Sequence, residues 1–126
     1  MEQSYPKQEK LKGKTLIDSL FKEGKSVAQF PLRLVFIEVT AQEVPLRMGV
    51  SVSKRYFKRA NRRNYIKRLL RECYRLNKGD LLGCDKRYSC MLLYQSNQEP
   101  RFDELEPKVK KLFAKALEQW TSAERQ

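Results

Sequence analysis

Between Lys54 and Lys78 the chain carries eleven lysines or arginines and a single acid, Glu72, on a segment whose apolar residues recur at helical spacing. On a wheel of about 100° per residue, Ile66, Leu69, Leu70, Cys73 and Leu76 gather on one side, the pattern of a helix laid against a core. Asn64, Lys67, Arg68, Arg71, Arg75 and Lys78 fall on the other strip. Lys54, Arg55, Lys58, Arg59, Arg62 and Arg63 crowd at or before the first turn, where the macrodipole already places about +0.5 of a charge. A helix over about Lys58 to Asn77, ended by Asn77-Lys78-Gly79-Asp80, therefore opens with the wrong sign for its own stability. Ordinary solvated helices mix signs at i,i+4 and gain a few tenths of a kcal/mol per pair. That gain is given up here. A bound phosphate reverses the sign of the effect, since free N–H groups and guanidinium forks converge on it. The segment is a polyanion-binding surface attached to a core-facing stripe.

The charge is local. Of the net +12, the segment 54–78 holds +10 (eleven bases less one acid), leaving +2 on the other 101 residues. The length of 126 residues suits one domain with its own core. No run approaches the ~20 apolar residues that span a bilayer, and the N-terminus lacks the apolar stretch of a secretory signal. Cys73, Cys84 and Cys90 form no CxxC pair and the chain has no histidine, so no zinc-site pattern is present. Three unpaired thiols without a signal predict a cytoplasmic protein with small buried cysteines.

The rest of the chain supplies what the stripe packs on. Residues 1–13 read as a flexible polar tail, 14–121 as a single domain that carries the polyanion-binding segment, and 122–126 as a C-terminal tail. Thr15-x-x-Asp18 opens a short first helix with Leu16, Ile17, Leu20 and Phe21 as its apolar stripe, and Gly24 closes it. Leu32 to Val39 is a strand with Leu32, Leu34 and Phe36 on one face and Arg33, Val35, Ile37 and Val39 on the other. Ala41 to Pro45 connects to a second strand, Leu46 to Ser53. Its Leu46, Met48, Val50 and Val52 form a core face, and Arg47, Gly49, Ser51 and Ser53 a small polar one. Tyr88 to Tyr94 is a further strand. Phe102, Leu105, Val109, Leu112, Phe113, Ala116 and Trp120 mark a last helix, with Pro107 acceptable only in its first turn. The order predicts an α+β two-layer sandwich.

The surroundings of the basic helix narrow the polyanion. A membrane-surface helix needs its apolar face for lipid, but here a sheet and two other helices require that face. A DNA-reading helix-turn-helix needs a short helix just before the basic one, where a strand is predicted instead. RNA remains.

Gly49-Val50-Ser51-Val52-Ser53-Lys54, followed by Ala60-Asn61-Arg62-Arg63-Asn64-Tyr65-Ile66-Lys67-Arg68-Leu69-Leu70-Arg71-Glu72, resembles the protein component of bacterial ribonuclease P. That family carries G-x-S-V-x-K, a basic connection, then Arg-Asn-Arg and Ile-Lys-Arg-Leu-x-Arg-Glu. Leu20 to Ala28 is similar to the family's first helix end and loop. Tyr65 replaces the signature's second arginine, and Ile17 stands where many members have an aromatic residue. The resemblance implies a small mixed sheet of about four strands packed by three helices, in the order α-β-β-β-α-β-α, similar to the ribosomal protein S5 domain 2-like fold. It implies a subunit that binds ribonuclease P RNA and the 5′ leader of precursor tRNA, the RNA performing the cleavage. Carried over, Arg55, Lys58, Arg59, Arg62, Arg63, Asn64, Lys67, Arg68, Arg71 and Arg75 are the RNA-facing set. Phe21, Phe36, Ser51, Ser53 and Lys54 line a leader cleft between the first helix and the sheet.

Nothing in the chain resembles a nuclease site. Histidine, the usual acid–base group at neutral pH, is absent. The fifteen acids are scattered instead of clustered for metal ions, and Asp103, Glu104 and Glu106 suit the start of the last helix. Magnesium is expected with the RNA partner, not on a protein motif. No obligate protein partner and no membrane association are indicated. The alternative is a structural RNA-binding protein, such as a ribosomal protein or RNA chaperone; an independent protein nuclease is a third reading.

Overall fold

The stretch 25–29, KSVAQ, has no run of apolar alternation, yet it forms a strand. A computed structural model describes residues 14–40, 44–83 and 86–124, and the expected tail 1–13, Cys84 and most of the 41–45 connection lie outside these. The elements run α1 (Lys14–Glu23), β1 (Lys25–Gln29), β2 (Leu32–Val39), β3 (Leu46–Val52), α2 (Ala60–Asn77), a 3-10 turn (Lys78–Leu81), β4 (Arg87–Tyr94) and α3 (Phe102–Glu124). The sheet order is β1-β2-β4-β3. β1 pairs antiparallel with β2 in the register Gln29↔Leu32, leaving Phe30 and Pro31 as a two-residue turn. β2 pairs antiparallel with β4, and β3 pairs parallel with β4 through Met48↔Cys90 and Ser51↔Leu93.

Alternation along the strands splits the sheet into two faces. Leu34, Phe36, Met48, Cys90 and Leu92 meet Ile66, Leu70, Cys73 and Tyr74 of α2 and Val109, Leu112, Phe113 and Trp120 of α3 in the main core. On the other face Val35 and Met91 close around Leu20 of α1, with Ile17, Ile37 and Leu93 at the margin. Sheet and paired helices make the two layers, and α1 lies across part of the opposite side.

Two local expectations change. Residues 25–28 were expected as loop and are an edge strand, held by main-chain pairing with β2 that no side-chain pattern announces. Gly24 does follow α1, its N–H bonding Leu20 O at 2.9 Å. The glycine is required by crowding: a Cβ there would lie 2.2 Å from Leu20 O and 3.0 Å from Phe36 O. Pro107 sits in the second turn of α3, since the first amide bonds run to Arg101 O. Its position is exposed, so the one lost helical bond leaves no buried carbonyl stranded. α3 itself runs to Glu124.

Candidate RNA interface

The connection from β3 to α2 is built by Ser53. Its carbonyl accepts from the N–H groups of Tyr56 and Phe57 at 3.1 and 3.2 Å. Its hydroxyl accepts from Arg55 N–H at 3.1 Å. The half-buried Phe57 anchors this turn on the core, 6.3 Å ring to ring from Tyr94. Lys54, Arg55, Lys58 and Arg59 are left pointing into solvent. The Arg55 guanidinium lies 5.8 Å from the Tyr56 ring centre.

α2 then begins without a cap. Arg59 occupies the capping position with extended backbone and makes no side-chain capping bond, and no acid occupies the first turn. Within the first turn Arg62 N–H is taken by Asn61 Oδ1 at 3.0 Å, and the positive end of the dipole is otherwise open. One carboxylate reaches the region: Glu99 binds Arg62 Nη1 at 2.5 Å, both side chains being largely exposed. The rim is otherwise cationic.

The ten residues of the expected RNA-facing set do not all offer their charge. Arg63 turns back on the chain, Nη1 donating to Phe57 O and Lys58 O at 2.8 Å each. It fastens the basic loop to the helix. Arg75 is held by Glu72, Nη2–Oε1 2.6 Å and Nε–Oε2 3.1 Å, which lowers the Glu72 carboxyl from its ordinary value and raises Arg75. Lys58, Arg59, Asn64, Arg68 and Arg71 are exposed and Lys67 half-buried, and among the described residues none of these six side chains is engaged in a hydrogen bond or ion pair. Lys78, which the wheel sets on the same strip, is buried at the 3-10 turn. Tyr65, in place of the signature arginine, is 43% exposed and packs in no core.

The expected leader cleft divides. Phe36 does not belong to it: the ring is 4% exposed on the α2–α3 face, edge-on to Trp120 at 5.4 Å and Tyr88 at 5.9 Å. Strand alternation sends Phe36 to the main core with Leu32 and Leu34, and Val35 and Ile37 take the other side. Ser51 lies on that other side, half-buried, and Phe21 is exposed on α1. Ser53 and Lys54 are exposed just beyond β3. α1 rests on β2 and β4, leaving Arg47, Gly49 and Ser51 of β3 beside it. Two cations of this face were not singled out from the sequence. Arg33 donates to Ser26 Oγ at 2.8 Å and Gln95 Oε1 at 3.4 Å, and Arg47 has a buried Nε with no hydrogen-bond partner. Alternation along β3 around Ser51 was the signal for Arg47, and alternation along β2 with Val35 and Ile37 was the signal for Arg33.

Cys73 and Cys90 are fully buried. Burial, with Glu106 and Glu72 adding repulsion, pushes the Cys73 thiol up to about 12. Among the described residues no three His, Cys, Asp or Glu side chains gather in a group able to hold a metal ion, and no helix is long and apolar enough to cross a membrane.

The family model described as Ribonuclease P matches residues 5–117. A Porphyromonas gingivalis protein named Ribonuclease P protein component is 37% identical over 110 residues, covering 83% of this chain and 80% of its own. The Thermotoga maritima RNase P protein superposes with a TM-score of 0.69 at 25% identity, over 85% of this chain and 96% of the other. The Staphylococcus aureus RNase P protein gives 0.70 at 21%, over 86% and 94%, a likeness of fold.

Proposed function

This chain belongs to the ribonuclease P protein family, a subunit of the ribonuclease P ribonucleoprotein, and we propose that it binds the catalytic RNA with the open start and outer face of α2. The single observation that carries the reading is the uncapped, acid-free first turn of α2 under a rim of exposed cations. Phosphate oxygens fill the orphan N–H groups and neutralise the crowding that the isolated protein tolerates. Lys58, Arg59, Lys67, Arg68 and Arg71 make the phosphate contacts, Asn64 adds a hydrogen-bonding amide, and Arg55 and Arg62 complete the rim. Arg63 holds the loop in shape.

Precursor tRNA is the substrate, its 5′ leader lying across the β3 side of the α1 face against Ser51, Gly49 and Phe21, with Ser53 and Lys54 at its exit. Gly49 lets a sugar–phosphate chain approach the sheet closely, and Arg33 and Arg47 supply cations along the way. Phosphodiester cleavage belongs to the RNA subunit with its magnesium ions. The chain offers no histidine for proton transfer. The protein's part is to position and to screen charge, and it does so in the cytoplasm.

Reconstitution tests this. Adding the protein to ribonuclease P RNA at low magnesium is expected to restore 5′ cleavage of precursor tRNA, with precursor held more tightly than mature tRNA. A folded protein that binds the RNA but gives no stimulation would overturn the assignment in favour of a purely structural RNA binder.

A further inference from the structure

Phe30 is the most exposed of the large apolar side chains described, at 74%, against 53% for Phe21 and 43% for Tyr65. It contributes to neither core. Its position is nonetheless fixed. Phe30 and Pro31 form the two-residue turn between β1 and β2, Pro31 is buried, and its carbonyl accepts from Gln95 N–H at 2.7 Å. The ring is held out from a pinned turn. Beside it a recess of about 90 Å³ is lined by Pro31, Tyr94, Gln98, Pro100 and Lys108 together with Phe30 itself.

The charges around the ring identify what it faces. The loop that walls the recess also carries Glu99, which binds Arg62 in the first turn of α2, so Phe30 lies one loop away from the basic helix. On the other flank α3 presents Lys108, Lys111 and Lys115 at i, i+3, i+7. Lys115 Nζ donates to Ala28 O at 3.0 Å, which sets this strip beside β1 and its turn. The two carboxylates at the recess are already occupied, Glu99 by Arg62 at 2.5 Å and Glu104 by Arg101 at 3.7 Å. An apolar ring between two cationic flanks is the construction of a single-stranded nucleic-acid site, where rings take bases and cations take phosphates. A protein partner's core contact would instead be depleted of such charge.

We propose that Phe30 is a stacking platform for an unpaired RNA base, its flanking phosphates running between the start of α2 and the lysines of α3. This rests on the reading of α2 as an RNA surface and extends that surface around the end of the sheet. Stacking on a π-face predicts that Phe30→Leu, which keeps apolar bulk, weakens binding of ribonuclease P RNA or its precursor complex about fivefold to a hundredfold. The log–log salt slope stays the same, because no cation is lost. Phe30→Trp retains affinity, and the added indole is quenched on RNA binding while wild-type Trp120 supplies the buried reference. Arg68→Ala, by contrast, flattens the slope. Steep, salt-dependent binding with Phe30→Leu at wild-type affinity and an unquenched Phe30→Trp would overturn the stacking proposal alone. Wild-type binding that is weak and insensitive to salt would overturn the α2 reading beneath it. Self-association that Phe30→Leu abolishes without RNA would make the ring a protein contact and overturn the proposal.

Discussion

Arg62 and Arg63 are adjacent in the chain and differently employed. Arg63 is spent on two backbone carbonyls, and Arg62 shares an exposed ion pair with Glu99. Such pairs contribute about 0–1 kcal/mol, so Glu99 is a weak competitor for any phosphate approaching Arg62. Glu99→Gln is expected to leave the melting temperature nearly unchanged and to raise RNA affinity about two- to fivefold at low salt, a change read by anisotropy titration. Cys73 makes a second case. Its thiol is pushed from 9.0 up to about 12 by burial, so the folded protein holds the proton while the unfolded chain releases it. The resulting stabilisation is whole below about pH 9 and fades as the pH climbs toward 12. At pH 8–9, alkylation of Cys73 followed by mass spectrometry is expected only as fast as the protein unfolds. Side-chain periodicity assigned Ile66, Leu70 and Cys73 correctly to the core, but it could not show that Arg63 finds acceptors in an irregular loop. Phe36 was legible as a member of the Leu32–Leu34 face; only the sheet's second helix layer reveals that this face is the buried one.

Elements whose periodicity is enforced by a core were readable: β2, β3, β4, α2 and α3 lie where alternation and helical spacing put them. β1 was not, because an edge strand with an exposed, mixed sequence owes its existence to main-chain bonds with β2. On the proposed reading, α2 is the element in which stability and binding oppose one another. Its capping position holds an arginine where an oxygen-bearing side chain would satisfy an N–H and complement the dipole. Arg59→Asp is expected to stabilise the protein by about 1 kcal/mol, raising the melting temperature by a few degrees. The same change is expected to weaken RNA binding severalfold. Calorimetry and titration on one variant check both signs, and a loss of stability together with unchanged binding would contradict the account of this helix end.

For the whole molecule, +10 of the net +12 lies on one segment of 25 residues, and that segment faces outward from a core shared by the sheet and two helices. Lys54, Lys58, Arg59, Lys67, Arg68 and Arg71 carry charges that no described carboxylate offsets. Six such contacts predict a log–log slope of RNA affinity against salt of about −4 to −5. A slope near −1 would mean that the strip does not track a phosphate backbone. The concentration of charge was visible in the order of residues along the chain, but the number of cations available required the paired ones to be seen.

β3 and β4 are the parallel neighbours of the sheet, and the chain travels from one to the other through α2. The most self-repelling stretch of the molecule is thus also the bridge that must be laid down before the sheet can close. Parallel pairing of this kind comes late and over long loops. Assembly of the native state therefore forces like charges together at its slowest step. Sodium chloride, by screening them, is expected to quicken refolding at constant denaturant while changing the unfolding rate little, followed through Trp120, the sole tryptophan. A growing ribonucleoprotein would give the same help, its RNA acting as a counterion scaffold for the protein it recruits.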